Sequence, residues 1–401
     1  MNINHFNLYI MKRLYFIFCR ICKLNSPIIN MRIFNFILLL IPFISCSKNE
    51  RHSALSVWTL DTTKEYPIKE VYIQDIADVD YIPLETNDSM LWIGREIRYL
   101  DEDYIVGGFE QINIHDGSGK ALNSFSRKGQ GPEEYEFPLS VRFDKEADEI
   151  YVLSFGEYCV YDSKGNFKRA FNTNGQSKNS KIEHFSILNE KEILQYDRFS
   201  NVYTRISKET GEVVEELNLG KDSSQTLMFI HNNMAVNFSA TYHIKDKNGF
   251  ILNSLASDTT WLLDHNLQLK PIGVKIPSSK NMKYPIYQFP VKNTSRYYFT
   301  YTVEKKPRYP TKFYMIDKKE NQIYRLNTYI KNLDYLDQVI DLDAYGLPDS
   351  DYPANICVQC LYAYKLCEAY EKGKLSGKLK DIAAKLNEDD NPVLMIIKFK
   401  E

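Results

Sequence analysis

Three cysteines near the C-terminus have the spacing of a partial metal site. Cys357 and Cys360 are separated by two residues, and Cys367 follows seven positions later. A structural zinc site needs four ligands, and no histidine follows Cys360 directly, as haem attachment requires. Apolar residues recur here at helical spacing, which predicts a helix over about 355–372 with the cysteines on its apolar stripe. We therefore expect these thiols to pack in the core, with no metal and no cofactor.

The histidines and aspartates offer no recognisable catalytic set. The seven histidines are scattered, without HExxH or another metal spacing. His115 and His265 flank predicted turns, where we expect them at the surface. Asp80, Asp144 and Asp264 stand near predicted strand ends, where aspartate forms turns more often than it binds calcium. No GxSxG nucleophile motif is present, so the sequence assigns no catalytic residue.

A glycine-rich segment, SRKGQGPEEY at 126–135, carries the best candidates for ligand binding. It lacks the GxxxxGK[ST] order of a phosphate loop. One interpretation is structural, with its glycines in special backbone conformations and its proline setting the exit of a connection. The other is functional, because Arg127 and Lys128 as cations and Gln130 as donor and acceptor suit an anionic or polyhydroxylated ligand. A glycan fragment or a peptide carboxylate would be such a ligand.

The N-terminal region has the features of a lipoprotein leader. From Met31 the chain reads MRIFNFILLLIPFISC, with a positive charge at Arg32, an apolar run over 33–44 and Ser45 before Cys46. This pattern resembles a bacterial lipobox, in which the cysteine is acylated before the leader is cut. We predict lipidation at Cys46 and anchoring to the cell envelope, with the outer membrane favoured, through burial of the acyl chains. An ordinary secretory leader and a short membrane anchor are the alternatives.

The boundaries of the folded domain follow from this leader. The upstream stretch 1–30 fits the leader pattern poorly, and we interpret it as a mis-assigned start, with translation beginning at Met31 or Met11. The expected segments are a leader over 1–45 with its signal peptide at 31–45, a polar tether over 46–65 and the folded domain over 66–401.

The composition favours a β-rich domain and excludes some partners. Of the 401 residues, 44% are hydrophobic, enough for a large buried core. The 29 tyrosines and 22 phenylalanines favour pleated sheets. Basic and acidic residues nearly cancel, 50 against 52, so no nucleic-acid partner is indicated. No stretch after residue 46 approaches the ~20 apolar residues that span a bilayer.

The body of the chain repeats a unit of four short strands joined by tight turns. Three successive units cover about 97–125, 140–171 and 184–217. Their corresponding turns contain Asp116, Asp162 and Lys208, which are spaced by 46 residues. A period in the forties with four strands per unit is that of propeller blades. The sequence predicts an all-β, six-bladed β-propeller with four-stranded blades, and a pair of β-sandwiches is the competing architecture.

The second half of the domain departs from this period. WLLDHN at 261–266 and FYMIDKKENQIYRL at 313–326 repeat only part of the unit. We expect a sixth blade assembled from both ends of the domain, with strands from 71–85 and 391–401, because such closure removes an exposed sheet edge. A short helical insertion near the C-terminus is expected beside it, made of the helix named above and a second one that ends at about 387.

Three segments carry a family resemblance. They are DVDYIPLET at 78–86, SRKGQGPEEY at 126–135 and EDDNPVLMIIKFK at 388–400. Together they resemble the six-bladed β-propeller lipoproteins of anaerobic gut bacteria, which are similar to NHL-repeat propellers. The resemblance covers about 60–401 and implies a secreted propeller. It implies no settled activity and no catalytic residues.

Propellers host enzymes and binding modules alike, so the fold does not select the function. With no nucleophile, metal set or acid–base pair in view, the sequence favours a membrane-anchored binding or scaffold module. Its ligand would be a small molecule, a glycan or a peptide, and we expect the site at one mouth of the propeller channel, near Arg127, Lys128 and Gln130. The alternative is a hydrolase or lyase whose site is assembled from loops of several blades.

Overall fold

The structure is a computed structural model. It describes residues 57–92, 97–108, 110–173, 182–220, 224–231, 234–238, 240, 242–326, 330–336, 339–340 and 352–400. The expected leader and the predicted lipidation site Cys46 lie outside these residues. Within the described segments, no helix has both the length and the apolar character to cross a membrane.

The domain begins with an extended arm that contributes strands to three different sheets. Its elements are β1 (Trp58–Asp61), β2 (Ile68–Lys69), the helical turn α1 (Ile73–Ile76) and β3 (Ala77–Pro83). Trp58–Asp61 falls in the segment expected as a polar tether. The arm therefore joins the folded domain earlier than the sequence indicated.

Three four-stranded antiparallel sheets follow, and they correspond to the three regular sequence units. The first blade is β4 (Ile97–Leu100), β5 (Tyr104–Gly107), β6 (Ile112–Asp116) and β7 (Ala121–Phe125); the second is β8 (Ser140–Asp144), β9 (Glu149–Ser154), β10 (Glu157–Tyr161) and β11 (Phe167–Asn172); the third is β12 (Ile182–Ile187), β13 (Glu192–Asp197), β14 (Val202–Ser207) and β15 (Val213–Leu217). In the turn after β6, the Asp116 carboxylate accepts hydrogen bonds from the backbone N–H groups of Ser118 and Lys120 (2.9 and 3.0 Å). Gly119 has a φ of +92° there, and Asp162 with Gly165 (φ +82°) repeats the arrangement in the second blade.

A hairpin and two larger sheets make up the next part of the chain. The hairpin is β16 (Met228–His231) and β17 (Met234–Asn237); the fourth blade is β18 (His243–Asp246), β19 (Gly249–Leu252), β20 (Thr259–Asp264) and β21 (Leu269–Ile276); a short 3-10 helix (Ser279–Asn281) precedes the fifth blade, which is β22 (Ile286–Asn293), β23 (Tyr297–Glu304), β24 (Thr311–Asp317) and β25 (Gln322–Leu326); β26 (Ile330–Lys331) and β27 (Val339–Ile340) follow. The N-terminal arm gives each of these blades a fifth strand. β1 pairs in parallel with β21, and β2 pairs in parallel with β25.

The sixth blade closes the ring with both ends of the domain, as predicted. Its elements are β28 (Ile356–Leu361), α2 (Ala363–Glu371), α3 (Gly377–Ala383) and β29 (Val393–Phe399), together with β3 from the arm. β29 pairs antiparallel with β28 on one side and with β3 on the other. The fold is the predicted six-bladed β-propeller, and the described sheets of the six blades have three to five strands.

The helix expected over 355–372 is wrong in its first half. Ile356–Leu361 is a strand, and the helix begins only at Ala363. Successive strand residues point to opposite faces, so Cys357 packs towards the fifth blade and Cys360 packs towards the first. The periodicity of a short apolar run is compatible with a strand or a helix. Pairing with β29 makes Ile356–Leu361 a strand. The second helix is confirmed.

The first strand of each regular blade lies next to the channel. β4 contacts β8, β8 contacts β12, and β18 contacts β22, which places these strands side by side around the axis. Because successive strands alternate in direction, the connections between blades lie at the same end as those between second and third strands. We call this end the upper face. The remaining tight turns form the lower face.

Candidate functional site

The glycine-rich segment connects the first blade to the second at the upper face. Arg127 donates its Nε–H to the carbonyl of Gly165 in the second blade (3.0 Å). Lys128 forms an ion pair with Glu110 (2.6 Å), and Gln130 is exposed with no hydrogen bond to a described residue. Arg127 thus makes a contact between blades, as the structural interpretation expects, while ligand binding by these three residues stays a prediction.

A pocket of about 80 Å³ opens on the upper face between the third and fourth blades. Its lining comes from four separate loops and consists of Arg198, Phe199, Thr226, Leu227, Met228, Tyr242 and Leu255. Phe199 and Met228 are 41% and 43% exposed, and because both line the same pocket they form a local apolar patch at its rim. The guanidinium of Arg198 lies 5.2 Å from the centroid of the Phe199 ring. The pocket therefore has an apolar interior and an aromatic, cationic rim.

Hydrogen bonds between loops hold the rim of this pocket in place. The Asn201 side chain donates to the carbonyl of Gln225 (2.9 Å), and the Tyr287 hydroxyl donates to the Gln225 side-chain oxygen (2.7 Å). The Tyr309 hydroxyl donates to the carbonyl of Leu227. These contacts join loops from the third, fourth and fifth blades, so the pocket shape is set before any ligand arrives.

Beneath the pocket lies a buried cluster of tyrosines. The rings of Tyr203 and Tyr242 lie 4.5 and 4.4 Å from the ring of Tyr196, measured between centroids. Burial raises the pKa of Tyr196 and of Tyr203 well above the ordinary value, so both phenols stay neutral at physiological pH. The pocket floor therefore carries no charge, and the cluster supports the floor as rigid apolar packing.

A serine–histidine pair lies between the third and fourth blades. Ser186 Oγ and His243 Nε2 are 3.0 Å apart, and both side chains are buried. The imidazole of His243 contacts the rings of Tyr203 and Phe250. A nucleophile and its base must be reachable by substrate. Because this pair is enclosed by core side chains, we assign it a structural role.

The surface position expected for His115 is wrong. His115 is fully buried and lies against the ring of Trp92, with ring centroids 5.7 Å apart. It lies on β6, one residue before the turn, so its side chain faces the core. Burial lowers the pKa of His115, which keeps the imidazole neutral. His265 is exposed, as expected.

The strand-end aspartates serve turns and ion pairs. Asp264 accepts hydrogen bonds from the N–H groups of Asn266 and Gln268, both at 2.9 Å. Asp144 pairs with Lys208, and Asp80 pairs with Lys378. In the part of the chain that the structure describes, no group of three or more His, Cys, Asp or Glu side chains is placed to hold a metal ion.

Sequence reasoning missed the pocket between the third and fourth blades. Its residues are spread from Arg198 to Leu255 and come from loops without a motif. One signal was present, because Phe199 lies within the third predicted unit at a turn position where a polar residue is the rule. Only the ring arrangement of the blades brings these loops together.

Comparison with solved structures finds a chain of similar fold over most of its length. A Bacteroides fragilis protein described as a candidate exported protein aligns over 86% of this chain and 100% of its own, with 15% identity and a TM-score of 0.58. Virginiamycin B lyase from Staphylococcus aureus aligns over 80% of this chain and 99% of its own, with 10% identity and a TM-score of 0.37. At 15% identity the first likeness supports the fold alone. A comparison with curated proteins finds no match.

A family profile covers almost the whole described domain. It matches residues 56–398 and is described as a domain of unknown function, DUF4934. The match begins at the N-terminal arm and ends in β29. The arm, the six blades and the helical insertion are therefore one evolutionary unit.

Proposed function

The chain belongs to the DUF4934 family, and from that premise we propose that it is an exported, lipid-anchored propeller that binds extended peptides at its upper face. The observation that carries this proposal is the pocket between the third and fourth blades. The family description leaves activity open, so the argument for binding rests on the chemistry of that pocket.

The leader supports export and anchoring. Its apolar run ends at Ser45 and Cys46, as in a lipobox, and the structurally similar Bacteroides fragilis protein is described as a candidate exported protein. Two acyl signals hold a protein stably to a bilayer, since each buried CH₂ contributes about 0.8 kcal/mol. We place the domain in the cell envelope, at the outer membrane.

Substitution Cys46→Ser tests the anchor. We expect the protein to move from the membrane fraction to the soluble fraction, or its leader to remain uncut, because serine offers no thiol for acylation. Cell fractionation and the mass of the mature chain measure both outcomes. Cys367→Ser is the matched control and should leave fractionation unchanged. Mature Cys46→Ser protein that stays entirely in the membrane would contradict lipid anchoring.

The size and lining of the pocket favour a single apolar side chain as its occupant. About 80 Å³ suits one leucine- or methionine-sized group better than a sugar ring with its hydration. Leu227, Met228 and Leu255 offer apolar surface, and the polar groups of the lining come from Arg198, Thr226 and Tyr242. A sugar ring carries several hydroxyls that each lose hydrogen bonds to water on binding, so this lining favours a peptide over a glycan.

A peptide library displayed against the purified full chain tests the proposal. We expect the bound peptides to share one position that is occupied by Leu, Met or Phe. Phe199→Ala should weaken the selected peptides about tenfold, because an exposed aromatic anchor typically contributes more than 1 kcal/mol to binding. Val214→Ala is the matched control, since Val214 is 52% exposed on β15 of the same blade and lies away from the pocket.

Two results would count against peptide binding at the pocket. One is a library in which no apolar position is enriched. The other is an enrichment that survives Phe199→Ala and Met228→Ala with unchanged affinities. Melting temperatures of all variants, which should agree with that of the unsubstituted chain, separate loss of binding from loss of fold.

A further inference from the structure

A strained, basic turn lies beside the pocket, at the upper face of the fifth blade. The connection from β23 to β24 reads EKKPRYPTK over 304–312, with four basic residues and one acidic residue. Arg308 and Tyr309 both have left-handed backbone conformations, with φ of +71° and +43°. Such conformations are unfavourable for residues other than glycine. Contacts with the rest of the domain must therefore hold this turn.

Those contacts join the turn to the pocket. The Tyr309 ring packs against Phe238, with centroids 5.1 Å apart, while its hydroxyl donates to the carbonyl of the pocket residue Leu227. The N–H of Lys305 donates to the carbonyl of Pro285 (2.8 Å) in the connection from the fourth to the fifth blade. The turn is thus a rigid continuation of the pocket rim.

Three cations around this turn have no carboxylate partner among the described residues. Lys283 and Arg308 are exposed, and Lys305 is half-buried. Burial lowers the pKa of Lys305, and no nearby carboxylate offsets that effect. Lys306 differs, because it pairs with Glu304 at 2.7 Å. An apolar pocket continued by unpaired cations is complementary to an apolar group followed by anions.

We propose that the basic turn makes the site selective for acidic peptides. An apolar residue enters the pocket, and neighbouring aspartate or glutamate side chains contact Lys283, Lys305 and Arg308. This inference rests on the proposed peptide binding and adds its charge specificity. The backbone strain at Arg308 supports it, because glycine would satisfy the turn with less strain and only a cation offers the charge.

The peptide library tests peptide binding and its charge specificity together when it is applied to three proteins and a control variant. With the unsubstituted chain, we expect Asp and Glu to be enriched within a few positions of the apolar residue. With Lys305→Ala/Arg308→Ala, the acidic enrichment should disappear while the apolar enrichment stays. With Phe199→Ala, the apolar enrichment should disappear. Lys120→Ala/Lys164→Ala is the control, because both lysines are exposed on lower-face turns.

Affinities of a selected acidic peptide sharpen the result. The Lys305→Ala/Arg308→Ala chain should bind it about three- to tenfold more weakly at low salt, as expected for two exposed ion pairs, and added salt should shrink the difference. Arg308→Gly removes the charge and relaxes the backbone, so binding should weaken while the melting temperature stays the same or rises. A purely structural arginine would give a lower melting temperature with binding intact.

The remaining outcomes separate peptide binding from the charge specificity. Apolar enrichment without acidic enrichment would overturn the charge specificity and leave peptide binding standing. Absence of any enrichment would overturn both. If Lys305→Ala/Arg308→Ala leaves peptide affinity unchanged and instead abolishes binding to phosphatidylglycerol vesicles, the turn contacts lipid and the inference is wrong.

Discussion

Neighbouring blades are joined differently in the first three blades, which we call the regular half, and in the last three, the irregular half. In the regular half, charged side chains on the lower face join neighbouring blades: Lys145 of the second blade pairs with Asp101 of the first (2.8 Å), and Lys208 of the third pairs with Asp144 of the second. In the irregular half, additional strands and helices pack on the blades. β1 and β2 extend the fourth and fifth sheets, and α2 and α3 pack beside the sixth.

The difference explains where the candidate site lies. The connection from the first blade to the second makes contacts between blades, as Arg127 does with Gly165. The connection after the third blade includes the β16–β17 hairpin, and the fifth blade carries the strained turn at Arg308. A rigid scaffold with variable loops is the usual way to carry binding residues. We therefore place the proposed site where the third blade meets the irregular half.

Of the changes considered, deleting residues 391–401 should reduce the stability of the domain most. β29 is the central strand of the described sixth sheet, and its Val393, Leu394, Met395 and Ile397 are fully buried. Each lost core side chain costs about 2–5 kcal/mol, so the sum exceeds the stability of a typical domain. We expect an insoluble or unfolded chain, measured by expression and circular dichroism. A truncated chain that melts at the original temperature would contradict closure by this strand.

Trp58→Ala tests whether the N-terminal arm stabilises the irregular half. The Trp58 ring stacks on Tyr298 at 5.1 Å and occupies the space where a Cβ on Gly273 would lie only 2.1 Å from the ring atoms. We expect a loss of about 2–3 kcal/mol in the free energy of unfolding. Gly273→Ala should cost a similar amount, and the double variant less than the sum. Full additivity in denaturant melts would argue against a shared contact.

The turns that could be predicted are those set by local chemistry, as the repeated aspartate turns after β6 and β10 show. The closing role of 391–401 was predicted from a global argument, because closure removes an exposed sheet edge. β1 could not be predicted, since Trp58–Asp61 is a fifth strand at the edge of a blade that already has four, and no spacing in the sequence indicates it. The pocket could not be predicted either, because the loops that line it meet only after the ring closes.

Glu149→Gln tests the ionic contacts of the regular half. Burial alone would raise the pKa of Glu149, but hydrogen bonds from Arg169, Tyr151 and Lys168 outweigh it and lower that pKa to about 2. This carboxylate therefore stabilises the fold above pH ~4.5, and the contribution is lost as the pH falls towards 2. We expect Glu149→Gln to cost about 2 kcal/mol at pH 7 and little at pH 2. Glu146→Gln, an exposed control in the preceding turn, should give the original profile.

Arg127→Ala/Gln130→Ala should have the smallest effect. Loss of the hydrogen bond from Arg127 to Gly165 removes about 1 kcal/mol of stability, and the Gln130 side chain has no hydrogen bond to a described residue that could be lost. If the structural interpretation of the connection holds, the melting temperature falls slightly and peptide affinity does not change. A loss of affinity at constant melting temperature would return the ligand site to the first connection.

Hydrogen–deuterium exchange with a peptide selected from the library tests the central claim most directly. The claim is that the ligand binds at the upper face, across the third, fourth and fifth blades. We predict slower exchange on peptide binding in the segments 197–201, 225–228 and 305–309, which carry the pocket and the basic turn. Slower exchange confined to 126–135, or to the turns of the lower face, would contradict the claim.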